Sequence, residues 1–194
     1  MKLRNKYYIL RHGEAVSNVR QVVSSWPEKF KNPLTKHGKE MIIAAVEVLK
    51  ATATGGVPPE GGKNHATHGK AIDMIFSSDL IRAKQTAQII QKELNLPLKF
   101  DTRLREVGFG TLNGKTNNEV IEAFSDEKSR INQKNKFKSE RYKEVLARMK
   151  SFLKDIDRQY KEKNILIVSH QCPLWIMENF VKGIPLKDDI KRNP

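Results

Sequence analysis

Two unbroken apolar runs, Tyr7 to Leu10 and Ile165 to Val168, each end at a polar turn carrying a histidine. Arg11-His12-Gly13 follows the first, and Ser169-His170 the second. Runs this short and this uniformly apolar read as strands. The aliphatic run from Ile165 reads as one buried on both faces, as in parallel sheets covered by helices. The segments between them agree. Thr35 can cap a helix whose apolar residues include Met41, Ile42, Ala45, Val46 and Leu49. Ala71 to Phe76 reads as a second strand ending in Ser77-Ser78-Asp79, and Leu80, Ala83, Ala87, Ile90 and Leu94 then recur at steps of three and four. Pro97 stops that helix before a short strand, Leu98 to Phe100; residues 101–118, with Gly108, Gly110 and Gly114, read as loop. Val145, Leu146, Met149, Phe152, Leu153, Ile156 and Tyr160 mark one face of a helix over about 141–160, and a last helix begins near Pro173. Strands alternating with helices predict an α/β fold, three layers (α/β/α) around a mostly parallel central sheet.

With 194 residues, 38% hydrophobic and 30% charged, the chain suits one domain over residues 1–194. Residues 54–70 carry Gly55-Gly56, Pro58-Pro59 and Gly61-Gly62 with almost nothing to bury, and are expected to form a flexible surface insertion. A membrane span needs about 20 apolar residues, and none is present. The basic start (Lys2, Arg4, Lys6) lacks the apolar core of a signal peptide. The single cysteine, Cys172, excludes an intramolecular disulfide and a multi-cysteine zinc site, and reads as a buried structural thiol. A cytoplasmic location is the expectation. His65 and His68 lie in the Gly-rich stretch with no third ligand near in sequence, so no metal site is expected.

The formal net charge of +14 favours anionic partners in general. Part of it sits in residues 126–163, with 13 basic and 7 acidic residues, and reads as a solvated helical face. No nucleic-acid-binding motif or interleaving of cations with aromatics accompanies it, so no specific nucleic-acid partner is expected.

Ligands of open α/β sheets bind beyond the carboxyl ends of the strands. Arg11 and His12 end the first strand, Arg82 lies one turn into the helix after the second, and His170 ends the strand that begins at Ile165. Two imidazoles and two guanidiniums at one sheet edge suit a phosphoryl group. Arginine binds phosphate oxygens in a planar fork, and histidine can act as nucleophile or donor.

The order of these motifs resembles the histidine phosphatase superfamily, the phosphoglycerate-mutase-like proteins. Leu10-Arg11-His12-Gly13-Glu14 with Asn18 resembles its signature, followed by Leu34-Thr35 with Gly38. Ser77-Ser78-Asp79-Leu80-Ile81-Arg82-Ala83 with Thr86-Ala87 resembles the second block. Leu104-Arg105-Glu106 with Gly110 and Gly114, then Val168-Ser169-His170, complete the series. The resemblance implies a phosphoglycerate-mutase-like fold in which His12 attacks phosphorus. It also implies that Arg11, Arg82 and a protonated His170 bind the phosphoryl oxygens, and that Glu106 protonates the leaving oxygen and then activates water. Asn18 would orient the phosphoryl group, and Ser24 and Ser25 fall where relatives contact substrate. Neither metal nor cofactor is implied, and the expected partner is a phosphorylated small molecule or a phosphoprotein.

Two departures stand out. Gln171 follows the second histidine where glycine is usual, so it is a candidate substrate contact. The chain also ends at Pro194, where relatives usually continue into a further strand, so either that strand is absent or the sequence is shortened. The leading expectation is a phosphomonoesterase. Only 64 positions separate Glu106 from His170, which leaves little chain to enclose an intermediate from water. A phosphoglycerate mutase and a non-catalytic anion or nucleic-acid binder are the alternatives.

Overall fold

The computed structural model describes residues 2–53, 72–124 and 136–186. Four strands form one sheet: β1 (Lys6–Arg11), β2 (Met74–Ser77), β3 (Leu98–Phe100) and β4 (Asn164–Ser169). Their order is β1-β4-β2-β3 and every pairing is parallel. Leu10 pairs with Val168, and Ser77 with Val168 on its other side, so the polar turns after β1, β2 and β4 emerge at one edge. β4 is buried at all six positions, as its continuous apolar run requires of a central strand.

Six helices accompany the sheet among the described residues: α1 (Val16–Val19), α2 (Lys36–Ala53), α3 (Ile81–Leu94), α4 (Asn117–Ala123), α5 (Tyr142–Gln159) and α6 (Gln171–Val181). They cover both faces. Ile42 and Val46 of α2 pack with Ala83, Ala87 and Ile90 of α3 against Ile75, Leu166 and Val168. On the other face Val145, Met149, Phe152 and Ile156 of α5 and Leu174, Ile176 and Met177 of α6 meet Met74, Phe76, Ile165 and Ile167. The alternation of strand residues between the two cores is the period-2 consequence of the pleat. Met41 departs from expectation and is 47% exposed. The seam of α2 runs through Ile42 and Val46, one turn apart, which turns Met41 outward.

The second strand begins at Met74 rather than near residue 71. The stretch read as loop over 101–118 holds two single-turn 3-10 helices, Thr102–Leu104 and Gly110–Leu112, and leads into α4. The last helix starts at Gln171, two residues before Pro173. In the charged stretch, Lys143, Lys150, Lys154 and Arg158 are exposed along α5, while Asp157 is buried. Its carboxylate accepts hydrogen bonds from the Arg4 and Asn5 backbone N–H groups and the Tyr7 hydroxyl, tying α5 to the start of β1. The Gly/Pro-rich segment at 54–70, with His65 and His68, and the C-terminal residues 187–194 lie outside the described residues. No described helix is long and apolar enough to cross a membrane.

Two glycines set how closely β1's turn can approach α2. A Cβ on Gly13 would press on the Gly38 carbonyl oxygen, and one on Gly38 would collide with the Glu14 carbonyl oxygen. Thr35 closes the contact. Its backbone N–H donates to the Glu14 carbonyl (2.9 Å), its hydroxyl donates to Glu14 Oε1 (2.6 Å), and it accepts from the Gly38 N–H (2.9 Å) as the helix cap. The turn carrying His12 is thereby fixed against the first turn of α2.

Candidate active site

Parallel pairing of β1 with β4 places His12 and His170 side by side. The His12 N–H donates to the Ser169 carbonyl (3.1 Å), and the two imidazoles meet edge to face with centroids 5.1 Å apart. Arg82, the second residue of α3 and 2% exposed, reaches across. Its Nε–H donates to His12 Nε2 (2.9 Å) and its Nη2 to the Ser24 carbonyl (2.9 Å), while Nη1 lies 3.7 Å from Glu28 Oε1. Because an arginine Nε always carries hydrogen, His12 Nε2 is the acceptor. The ring's proton therefore sits on Nδ1, which donates to the Gly13 carbonyl (2.8 Å). Thr86 braces the same corner, donating to the Arg82 carbonyl (2.9 Å) and accepting from the Gly13 N–H (3.2 Å).

Electrostatics follow from burial. His12 is pushed down to about 3 by desolvation first and by the Arg82 charge second, so it is neutral at ordinary pH. His170, buried completely, is also held well below the usual histidine range by desolvation, then by Arg82 and His12. The expected protonated His170 is thus not what this arrangement favours. A buried ring between a guanidinium and another imidazole gains its proton only when an anion offsets them. His170 Nε2 pairs with Ser78 Oγ at 2.9 Å.

Glu106 is carried by the turn after β3. The Ser169 hydroxyl donates to the Leu104 carbonyl (2.6 Å), drawing that turn to the end of β4. Arg148 of α5 donates to the Glu106 carbonyl (3.3 Å) and pairs with Glu140 (2.7 Å), whose other oxygen accepts from the Gly108 N–H (3.0 Å). Burial raises the Glu106 carboxyl above its ordinary range, against the lowering influence of Arg82, the Val107 N–H, Arg148 and Arg11. A carboxyl inclined to keep its proton can serve as an acid.

A cavity of about 420 Å³ opens at this edge, and Arg11, His12, Asn18, Ser24, Arg82, Glu106 and Gln171 all line it. Asn18 Oδ1 accepts from the Ala15 N–H (2.9 Å), which fixes its amide at the rim. His170 sits behind His12 rather than on the wall. Ser25 is not brought to the cavity. Its Oγ accepts from the Phe109 N–H (3.1 Å), and Asn113 clamps its backbone, accepting from its N–H (2.9 Å) and donating to its carbonyl (3.1 Å). Cys172 is half-buried on the cavity wall, not a core thiol, because position two of α6 faces the cleft.

Sequence reasoning passed over Asn113, Glu28 and the wall residues Tyr142 and Trp175. Asn113 stands between Gly110 and Gly114, and Thr116 with Glu119 forms a capping box, a local signal for α4. Tyr142 and Trp175 carry no local signal. Four buried side-chain atoms lack a hydrogen-bond partner among the described residues: Ser24 Oγ, Glu28 Oε1, Arg82 Nη1 and His170 Nδ1. Buried polar groups are otherwise almost always paired, and all four belong to Arg82 and its immediate surroundings. Among the described residues, no group of three His, Cys, Asp or Glu side chains could hold a metal ion.

A parallel α/β sheet thus carries two imidazoles, two guanidiniums and a carboxyl to one edge. The chain belongs to the histidine phosphatase superfamily (branch 1), whose family model matches residues 64–192. Arg11 and His12 precede that span, and the β1–β4 pairing brings them to it. Among similar proteins, phosphoglycerate mutase of Candida albicans is 30% identical over 129 residues, 65% of this chain and 44% of the relative. Phosphoserine phosphatase 1 of Hydrogenobacter thermophilus is 28% identical over 119 residues, 59% of this chain and 56% of the relative. The matches thus span about half the length of these curated relatives. The solved structure of Bacillus stearothermophilus YhfR superposes with a TM-score of 0.75 at 25% identity, covering 98% of this chain and 85% of that one. The superfamily's three-layer α/β/α fold is the one seen here, and its members here include both phosphatases and mutases.

Proposed function

We propose that the protein is a phosphomonoesterase that works through a phosphohistidine on His12. The observation that carries this reading is the neutral His12 ring, its Nε2 lone pair held at 2.9 Å by the Arg82 guanidinium. As substrate enters, the Arg82 Nε–H passes from His12 Nε2 to a phosphoryl oxygen and frees the lone pair; Nε2 then attacks phosphorus, and the bond from phosphorus to the leaving oxygen breaks. Glu106 gives its proton to that oxygen. Arg11 and Arg82 neutralise the equatorial oxygens, and His170 joins them as the incoming dianion draws a proton onto its ring. Glu106, now a carboxylate, takes a proton from water as the water oxygen attacks phosphorus, and the phosphorus–nitrogen bond returns its electrons to His12. Asn18, Ser24 and Gln171 are the polar rim around the phosphoryl group. These steps call on protein groups and water alone.

Phosphoglycerate mutase activity is the second reading, favoured by the likeness to the Candida albicans mutase. One experiment separates the two. Enzyme quenched during turnover should carry phosphate that is labile in acid and stable in base, and His12→Ala should carry none. Given 3-phosphoglycerate and a trace of the 2,3-bisphosphate, the enzyme should release inorganic phosphate. Rapid 2-phosphoglycerate formation without phosphate release would establish the mutase instead, and phosphate retained on His12→Ala would overturn the mechanism.

A further inference from the structure

The cavity must receive not only a phosphoryl group but whatever that group is attached to, and its remaining walls have a definite chemistry. Val22, Val23, Val107, Phe109, Tyr142 and Trp175 line it alongside the polar residues. The charged residues on its described wall are Arg11, Arg82 and Glu106, and all three are already assigned to the phosphoryl group and its leaving oxygen.

These apolar walls are held in place from behind. Tyr142 and Val107 belong to the buried core beneath β4, and Phe109 and Trp175 pack against it. Tyr142 and Trp175 meet edge to face, centroids 6.0 Å apart and planes at 76°. Val22, also on the wall, bridges to Thr116, and Val23 exchanges backbone hydrogen bonds with the Lys115 carbonyl and the Gly114 N–H, each 2.9 Å. Branched and aromatic side chains held in this way favour a flat apolar group, while Ser17 and Asn117, also on the wall, are neutral and add no cation.

We propose that the substrate class is a phosphomonoester of an alcohol bearing an apolar ring, seated among Phe109, Tyr142, Trp175, Val22 and Val23. This rests on the phosphatase reading above. It disfavours leaving groups that carry a carboxylate or a second phosphate, because no cation beyond Arg11 and Arg82 lines the described wall.

The test compares benzyl phosphate with ethyl phosphate and 3-phosphoglycerate. All three release alkoxides rather than acidic phenols, so the ring and the charge, not leaving-group activation, dominate the comparison. The expected kcat/KM for benzyl phosphate exceeds that for ethyl phosphate by at least about tenfold, equivalent to about 1.4 kcal/mol, chiefly through KM. 3-Phosphoglycerate should fall below benzyl phosphate. Trp175→Ala and, separately, Phe109→Ala should bring the benzyl-to-ethyl ratio towards one. A wild-type ratio near one, or 3-phosphoglycerate preferred over benzyl phosphate, overturns the inference while a trapped phosphohistidine leaves the phosphatase reading standing. No turnover of any of the three and no trapped phosphate overturns both.

Discussion

Arg82 Nε–H donates to His12 Nε2 across 2.9 Å, joining α3 to the end of β1 over 70 positions of sequence. The bond does two things at once. It dictates the tautomer, sending the ring proton to Nδ1 and the Gly13 carbonyl, and it stations a positive charge beside the proposed nucleophile. Because the guanidinium also opposes protonation of the ring, orientation and reactivity of His12 depend on the same side chain.

Arg82→Lys is therefore expected to be nearly as damaging as Arg82→Ala. Lysine keeps the charge but loses the planar fork that reaches His12, the Ser24 carbonyl and Glu28 together. Both variants should lose about 100-fold to 1,000-fold in kcat, the range for removing one preorganised donor. Steady-state kinetics on one phosphomonoester would check this, and a lysine variant within a few-fold of wild type would show that charge alone suffices.

For Glu106 the expected signature depends on the leaving group. Glu106→Gln should cost alkyl phosphates about 100-fold or more, and activated aryl phosphates far less, since a phenolate hardly needs a proton. Burial raises the Glu106 carboxyl, so its acid form persists above the ordinary carboxylate range. The rate with alkyl phosphates should then fall on the alkaline side as that proton is lost, and the fall should vanish in the glutamine variant. A pH–rate profile of both proteins measures it.

Stability should fall as the medium is acidified. The folded His12 is neutral down to about 3, whereas a histidine in the unfolded chain protonates near about 6.5. Between those values the unfolded state binds more protons, so stability rises with pH and is lost as pH falls below about 6.5. Each such histidine contributes up to about 1.4 kcal/mol per pH unit. His170 acts in the same direction. Urea unfolding at pH 7 and pH 5 should show wild type losing more stability than His12→Asn. Equal losses would mean that His12 titrates normally in the fold.

Gly38→Ala tests the close approach under the turn that carries His12. The added methyl would meet the Glu14 carbonyl oxygen, and forcing α2 away should cost about 2–3 kcal/mol. It should also lower activity, because Gly13 and His12 ride on the same contact. The midpoint of a denaturation curve, with an unchanged slope, is the measure.

Much of the fold could be read directly from short-range patterns. The four-residue apolar run at Ile165 marks a strand buried on both faces, and Asn164–Ser169 is the central strand. The three-and-four spacing of Ala83, Ala87 and Ile90 placed the seam of α3 correctly. Patterns failed where a residue's environment is non-local. Met41 fits the apolar stripe of α2 but lies outside its buried seam. Ser25 neighbours a cavity residue in sequence, yet Asn113 and Phe109 turn it inward.

The sequence by itself determined the strands, their parallel character, and the presence of Arg11, His12, Arg82 and His170 at strand ends or just beyond, because apolar runs and helical periods are local properties of the chain. Only the tertiary structure decided which of these meet and in what state. The β1-β4-β2-β3 order sets two histidines 5.1 Å apart, and burial beside Arg82 makes both neutral. Packing of α5 against α6 sets Tyr142 beside Trp175 on the cavity wall. Contacts of this kind join residues scores of positions apart, and their energies depend on solvent exclusion, which exists only once the sheet and its two helical layers have closed.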